Sequence, residues 1–106
     1  MKSILKTAVL AAAVALSGAF AASAETVKIG MAPEPYPPFE SMDASGKWVG
    51  WEVELLDAVC TEAKLDCVIT PTAWDGIIPA LTTKKIDMIF DSMSITDERK
   101  KTIDFS

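Results

Sequence analysis

The sequence predicts an α/β fold with an open, mostly parallel sheet flanked by helices. Short apolar runs of strand-like composition alternate with segments whose apolar residues recur at helical spacing. Such alternation indicates β-α-β units, in which neighbouring strands are parallel and the crossovers are right-handed. Polar and aromatic residues collect directly after the predicted strands, and ligands of open α/β sheets bind beyond the carboxyl ends of the strands. We therefore expect a binding site at that edge of the sheet.

The first 24 residues are typical of a cleavable secretory signal peptide. A start with two lysines is followed by a short apolar stretch, Ala8 to Leu16, and by the A-x-A cleavage signal Ala22-Ser23-Ala24. The apolar stretch is shorter than a membrane-spanning helix requires. We therefore expect cleavage before Glu25 and export of the remaining chain.

The charge and the missing residue types exclude several functions. Loss of Lys2 and Lys6 with the signal peptide would make the formal charge of −5 more negative by two, and such an acidic chain repels phosphate backbones. The chain has no histidine, so a Ser-His or Cys-His catalytic pair is excluded and a zinc site is improbable. The glycines form no phosphate-binding or dinucleotide-binding motif. We therefore expect no nucleic-acid partner, no metal and no cofactor.

The first strand is predicted at Thr26 to Met31 and leads into a proline-rich loop. Four prolines between Ala32 and Phe39 exclude a helix or a central strand there. They also stiffen the loop, so its aromatic residues can be held at low entropic cost. Two interpretations are open: Tyr36 forms a wall of a ligand site, or Tyr36 and Phe39 together plug the core beneath the loop.

A hairpin and a helix are predicted next. The polar run Asp43 to Gly46 suits a hairpin turn between two short strands. A helix is then expected from about Gly50 to about Lys64, because apolar residues recur there at helical spacing. Its acidic residues are most simply a solvated face, except that Glu52 lies at the start of the helix.

The two cysteines of the chain are Cys60 and Cys67. An even number of cysteines in an exported protein favours a disulfide. On one continuous helix the two residues would be too far apart to bridge, so a disulfide requires the helix to end near Lys64 and the chain to fold back. The alternative is a pair of buried, unpaired thiols.

The second half of the chain reads as strand, helix, strand and helical turn. We expect these elements at Val68 to Pro71 (introduced by Cys67), from Gly76 or Ile77 to about Lys85, at Ile86 to Phe90, and at Thr96 to Lys101. The last residues, Ile103 to Ser106, read as the start of a further strand.

The segment from Asp91 to Arg99 carries the strongest functional signal. Side-chain hydroxyls and an arginine directly after a buried strand suit the capture of a small carboxylate. The simpler alternative is a capped turn whose Arg99 faces water. The loops that carry Tyr36 and Trp74 leave the same edge of the predicted sheet, which favours the binding site.

Four motifs in this order resemble a known family. They are Tyr36-Pro37-Pro38-Phe39-Glu40, Gly50-Trp51-Glu52-Val53-Glu54-Leu55, Trp74-Asp75-Gly76-Ile77-Ile78-Pro79-Ala80-Leu81, and Ser92-Met93-Ser94-Ile95-Thr96 with Arg99. Together they resemble the family 3 extracellular solute-binding proteins, the polar amino-acid receptors of ABC importers. Cys60 and Cys67 match a short disulfide of the subgroup that binds basic amino acids and opines.

The resemblance implies a partial first lobe of the two-lobed type II periplasmic-binding-protein fold. Residues 25–106 would form the N-terminal part of that lobe, without the second lobe and the segment that returns from it. The resemblance also implies a role for each site residue. Arg99 and Ser94 would clamp the ligand carboxylate, Ser92 and the backbone at Asp91 would help to hold the α-amino group, Tyr36 and Trp74 would sandwich the side chain, and Glu34 and Glu52 would lie near its distal end.

Asp91 departs from the family pattern, because receptors for basic amino acids often have serine at this position. Its carboxylate could receive an ammonium or guanidinium group, or it could cap the next turn. In Trp51 the chain also departs from the phenylalanine that is usual in its motif, which we interpret as a packing difference.

The implied protein is a monomeric periplasmic receptor, not an enzyme. It would deliver a polar, most simply basic, amino acid or an opine to an inner-membrane ABC permease. Two alternatives stay open: a periplasmic dehydratase or lyase that uses Glu34 or Glu52 as its acid–base group, and the extracellular sensor domain of a membrane receptor.

Overall fold

The computed structural model describes residues 23–106, so residues 1–22 of the predicted signal peptide lie outside the described part. Five strands and three helices follow one another within these residues. They are β1 (Thr26–Met31), β2 (Ser41–Met42), β3 (Trp48–Val49), α1 (Trp51–Glu62), β4 (Asp66–Pro71), α2 (Ile77–Thr82), β5 (Met88–Ile89) and α3 (Asp97–Lys100), with a single 3₁₀ turn at Trp74–Gly76 before α2.

Three of the strands form a parallel sheet in the order β4-β1-β5. The β1–β4 pairing runs in register from Thr26 opposite Asp66 to Met31 opposite Pro71. The carboxyl ends of all three strands therefore meet at one edge of the sheet. β2 and β3 form the separate antiparallel hairpin predicted around Asp43. The α/β class with a mostly parallel sheet is confirmed.

The two faces of β1 meet two small cores. Ile29 and Met31 are buried with Leu56 and Cys60 of α1. The opposite face of β1 meets a second core of Ile77, Ala80 and Ile86, built around α2. Gly30 faces this second core, where an added Cβ would collide with the Ile86 side chain. The helices thus cover both faces of the sheet, as expected of parallel strands.

A disulfide joins Cys60 and Cys67, as the sequence predicted. Helix α1 ends at Glu62, and Lys64 takes a left-handed conformation with φ 55°. The amide of Leu65 then donates to the Cys60 carbonyl at 2.9 Å, which closes the turn. The chain folds back and Cys67 lies in β4, so the alternative of two unpaired thiols is wrong.

The structure shortens the predicted β5 and α2, and the strand expected at the last residues is not formed. Strand β5 spans Met88–Ile89 rather than Ile86 to Phe90, because the Ile86 amide donates to the Ala80 carbonyl and belongs to the turn that ends α2. Helix α2 ends at Thr82 rather than near Lys85, and Lys84 is left-handed with φ 62°. Residues 103–106 form no strand. An apolar run alone could not separate strand residues from buried turn residues.

The helices of residues 23–106 include none with the length and apolar character needed to cross a membrane.

Candidate functional site

A cleft of about 330 Å³ lies beyond the carboxyl ends of β1, β4 and β5. Its size falls near the lower end of the range of about 300–1,000 Å³ that is usual for small-molecule sites. The residues that line it come from the segments that follow the three strands: Ala32, Glu34, Pro35, Tyr36, Glu40, Trp74, Asp91, Ser92, Ser94 and Arg99. Of the eight predicted ligand-binding residues, all but Glu52 are brought together here.

Arg99 is held in the cleft by contacts on three sides. Its Nη1 donates to the Ser94 carbonyl oxygen at 2.8 Å, and its guanidinium carbon lies 5.6 Å from the centroid of the Trp74 ring. Its backbone amide donates to the Thr96 hydroxyl, the N-cap of α3, at 3.1 Å. The segment is therefore both a capped turn and a wall of the cleft. The guanidinium keeps further N–H donors with which it can meet a carboxylate.

Ser92 lies between the cleft and Glu52. Its left-handed backbone, with φ 42°, directs both its amide and its hydroxyl toward Glu52 Oε1, at 2.6 and 3.1 Å. Because the hydroxyl donates its proton to Glu52, its oxygen lone pairs are available as acceptors for an ammonium group. Glu52 itself is buried behind Ser92 and does not line the cleft.

Asp91 connects two of the loops that form the cleft. Its Oδ2 accepts a hydrogen bond of 2.9 Å from the buried amide of Ala32, which follows β1. The side chain is almost fully buried. Thr96, and not Asp91, caps α3, so the capping alternative for Asp91 is wrong. The residue fixes the strand ends relative to each other and presents a carboxyl group to the cleft.

The two aromatic residues of the proline-rich loop have different surroundings: Tyr36 lies at the cleft, and Phe39 packs beneath the loop. Tyr36 is exposed and lines the cleft, as does Trp74 on the adjacent loop. Phe39 is half-buried, stacks under Tyr36 with ring centroids 4.8 Å apart, and contacts Trp51 edge-on at 5.7 Å. Phe39 therefore supports the loop while Tyr36 faces the site. Glu34 is exposed on the same loop and also lines the cleft.

Glu40 is a cleft residue to which the sequence pattern assigned no role. It is 1% exposed, and its carboxyl oxygens lie near those of Glu52 and Asp91, with one oxygen of each within 4.8 Å of the others. Burial, then the charge of Asp91, raises the pKa of Glu40 to about 8. Burial raises the pKa of Asp91 to about 6, although its hydrogen bond from Ala32 opposes that shift. This carboxyl cluster of three acids could hold a proton or a hard divalent cation.

The surroundings of Glu40 explain why it was missed. It stands inside the motif Tyr36 to Glu40, but its partners come from the first turn of α1 and from the loop after β5. Only the tertiary fold brings these three acids together. The sequence shows only an isolated acid directly after the rigid Pro-Pro-Phe segment. From local spacing such an acid cannot be distinguished from one that faces solvent.

Comparisons with known proteins agree with this geometry. The bacterial extracellular solute-binding proteins of family 3 match residues 27–106. The lysine/arginine/ornithine-binding periplasmic protein of Escherichia coli (strain K12) is 40% identical over 105 residues, which cover 99% of this chain and 40% of that protein. The L-arginine-binding protein of Pseudomonas aeruginosa is 41% identical, with 100% of this chain and 40% of that protein covered.

A solved structure gives the same result in three dimensions. An ancestral arginine-binding protein bound to arginine superposes with a TM-score of 0.74 and 39% sequence identity, covering 79% of this chain and 37% of that one. The chain thus spans about 40% of the length of the curated relatives that it matches. The cleft lies within the region that these comparisons cover.

Proposed function

The chain belongs to the bacterial extracellular solute-binding proteins of family 3, and from this membership we propose that it is the substrate-binding component of an ABC importer. Its ligand would be a polar, basic amino acid or an opine. The names of the two curated relatives and of the solved neighbour, all binders of arginine or of basic amino acids, support this ligand class.

The proposal is supported by one observation: a single cleft brings together the guanidinium of Arg99 and the side-chain oxygens of Ser92 and Asp91. Arg99, steadied by the Ser94 carbonyl and Trp74, would bind the ligand carboxylate. The Ser92 hydroxyl oxygen and the carboxyl of Asp91 would receive a cationic group. Such a pairing of opposite charges across one small cleft suits a zwitterion with an additional positive charge.

The aromatic and acidic rim would provide selectivity for the ligand side chain. Tyr36 and Trp74 present ring faces on two adjacent loops, and such faces attract ammonium and guanidinium groups. Glu34 adds a negative charge to the rim. Glu52 would act indirectly, by orienting Ser92, because its Oε1 accepts both Ser92 bonds.

The surrounding assembly follows from the same family membership. Residues 1–24 would direct export and be removed, and the receptor would work as a periplasmic monomer that delivers its ligand to an inner-membrane permease. Residues 25–106 would form the N-terminal part of the first lobe. The opposite wall of the cleft would then come from a second lobe that closes on the bound ligand, and the coverage of 40% of each relative supports this arrangement.

The two alternative functions receive less support. A lyase with Glu52 as its acid–base group would need that carboxyl at the ligand, whereas Glu52 lies behind Ser92 and outside the cleft lining. Glu34 lines the cleft but is exposed, without the burial that tunes a catalytic carboxyl. The curated relatives named above are binding proteins, which favours neither an enzyme nor a sensor domain.

Titration calorimetry of the purified protein with Arg, Lys, His, Gln, Glu and opines tests the proposal. We expect binding of a cationic ligand, weakened by about 1.5–3 kcal/mol in Arg99→Ala, the usual magnitude for a hydrogen bond to a charged group. Lys100→Ala is the matched control, because Lys100 is a neighbouring cation on α3 with an exposed ion pair to Asp97 at 3.5 Å. Equal affinities of Arg99→Ala and the unmodified protein would contradict the clamp.

A further inference from the structure

The carboxyl cluster of Glu40, Glu52 and Asp91 lies beneath the candidate cleft. Each residue comes from a different segment: the end of the proline-rich loop, the first turn of α1 and the loop after β5. Their exposed fractions are 1%, 4% and 6%, and one oxygen of each lies within 4.8 Å of the others. The fold thus buries three acids from separate segments close to one another.

The hydrogen bonds of the cluster leave part of it without a partner. Asp91 Oδ2 accepts from the Ala32 amide, and Glu52 Oε1 accepts from the amide and hydroxyl of Ser92. Glu40 Oε2 and Glu52 Oε2 are buried and have no hydrogen-bond partner within the described part of the chain. Among residues 23–106 no basic side chain forms an ion pair or a hydrogen bond with any of the three.

Full ionisation of the cluster would therefore be strongly unfavourable. Like charges at this separation repel each other, and burial removes the water that would screen them. A bound proton would remove one of the three negative charges, and among residues 23–106 Glu40 is the member whose carboxyl accepts no hydrogen bond from an N–H or O–H donor. Its raised pKa, about 8, agrees with a proton on Glu40 near neutral pH. That proton can be donated to Asp91 or Glu52.

The same carboxyls face the cleft. Glu40 and Asp91 both line it, together with three other charged or titratable side chains: Glu34, Tyr36 and Arg99. Glu34 adds to the negative field at Asp91, which favours protonation of the cluster. Arg99 contacts the Ser94 carbonyl and the Trp74 ring, and a ligand carboxylate would neutralise its positive charge.

We propose that a cationic ligand entering this cleft displaces the proton that Glu40 shares with Asp91 and Glu52. The inference rests on the proposed function, because it requires a ligand with an ammonium or guanidinium group. The O–H bond of the Glu40 carboxyl breaks, its electron pair stays on the carboxylate, and the proton passes to a buffer base. The ligand cation then replaces the proton as the positive charge of the cluster. Through this proton, Glu40 couples ligand affinity to pH.

Calorimetry of the purified protein with arginine or lysine tests the coupling directly. Titrations at one pH in phosphate and in Tris, both with EDTA to remove divalent cations, give the number of protons released from the dependence of the binding enthalpy on the buffer. We expect a substantial fraction of one proton near pH 7, and an affinity that increases with pH by up to about tenfold per pH unit between about pH 6 and about pH 8.

The Glu40→Gln variant identifies the source of the proton. Glutamine keeps the shape and the hydrogen-bonding capacity of the side chain but cannot ionise. We expect its proton release and its pH slope to be lost, whereas Glu62→Gln, an exposed acid on α1, keeps both. If Glu40→Gln fails to fold, the buffer comparison on the unmodified protein decides alone whether ligand binding releases a proton.

The outcomes separate this inference from the proposed function. Binding of arginine or lysine with an enthalpy independent of buffer and an affinity independent of pH would overturn the inference and leave the receptor function standing. Release of a metal ion on EDTA treatment, with calcium restoring the original behaviour, would show that a cation and not a proton fills the cluster, and would also overturn it. A protein that binds none of the cationic ligands overturns both.

Discussion

The guanidinium carbon of Arg99, in α3, lies 5.6 Å from the centroid of the Trp74 ring, in the 3₁₀ turn that follows β4. The contact places a cation on an aromatic face at the rim of the cleft, with the Ser94 carbonyl fixing the other side of the guanidinium. An arginine that is held in this way loses less conformational freedom when it captures a carboxylate. In the proposed receptor Trp74 would therefore contribute to the arginine clamp as well as to the aromatic wall.

Replacement of Trp74 by alanine should weaken ligand binding. Loss of the cation–π contact and of the ring face should cost about 0.5–2 kcal/mol, roughly 2- to 30-fold in affinity by calorimetry. Trp74→Phe should recover most of the loss. Trp51→Ala is the control, since Trp51 is also exposed but does not line the cleft. Equal losses in both alanine variants would indicate a general effect on the fold.

Gly50 should be intolerant of a side chain. Its φ is 127°, a conformation that favours glycine, and an added Cβ would collide with the Phe39 carbonyl. We expect Gly50→Ala to lower the free energy of unfolding by about 1–3 kcal/mol in urea denaturation. Gly76→Ala, with φ −108° and no atom within 4 Å of the added Cβ, should be neutral or slightly stabilising. A larger loss of stability in Gly76→Ala than in Gly50→Ala would contradict the positive φ at Gly50.

Removal of the disulfide should lower stability without altering the ligand contacts. Cys60 and Cys67 enclose a short loop with a sequence separation of 7, for which loop entropy gives about 2–3 kcal/mol. Thermal denaturation of Cys60→Ser/Cys67→Ser should show this loss, and dithiothreitol should have no further effect on the variant. The affinity of the folded variant should be unchanged, because neither cysteine lines the cleft. A large loss of affinity would disprove the separation of the two regions.

The stability of the ligand-free protein should decrease as the pH rises. The pKa of Glu40 is raised from 4.5 to about 8 and that of Asp91 from 3.8 to about 6, so between the unfolded and folded values the folded state binds more protons. The stabilisation is complete below the unfolded pKa values and is lost as the pH rises through about 6 and then about 8. Urea denaturation should show a decrease of roughly 1–3 kcal/mol between about pH 5 and about pH 9.

A matched pair of variants assigns this pH dependence. Glu40→Gln should flatten the dependence above pH 7, since Asp91 alone titrates at lower pH. Glu62→Gln should keep it, because Glu62 is exposed and belongs to no buried cluster. A stability that rises with pH over this range would mean that the carboxyl cluster is ionised in the folded state.

Much of the fold was predictable because its signals are local. The boundaries of β1 were predicted as observed, and the hairpin and α1 followed from turn chemistry and helical spacing. The start of β5 was not, because Ile86 is buried by packing on α2 and reads as a strand residue in any local window. Burial makes turn and strand residues alike in composition.

The candidate site was predictable where side chains follow a strand directly. Arg99, Trp74 and Tyr36 lie on segments that follow the carboxyl ends of the strands, and that edge could be located from the element order. The placement of Glu52 behind Ser92 and the burial of Glu40 depend on contacts between distant segments. Such contacts leave no periodic pattern in the sequence, so only the three-dimensional structure could reveal the carboxyl cluster.

The disulfide pairs the two cysteines of the chain and lies away from the cleft, at the amino end of β4. A cysteine introduced at the rim, for example Pro35→Cys, would consequently be the sole thiol available to an alkylating dye, with no need to remove a native residue first. The fold therefore lends itself to a fluorescent reporter of amino acids, in which the label responds to the cleft while the original disulfide holds the opposite end of the sheet.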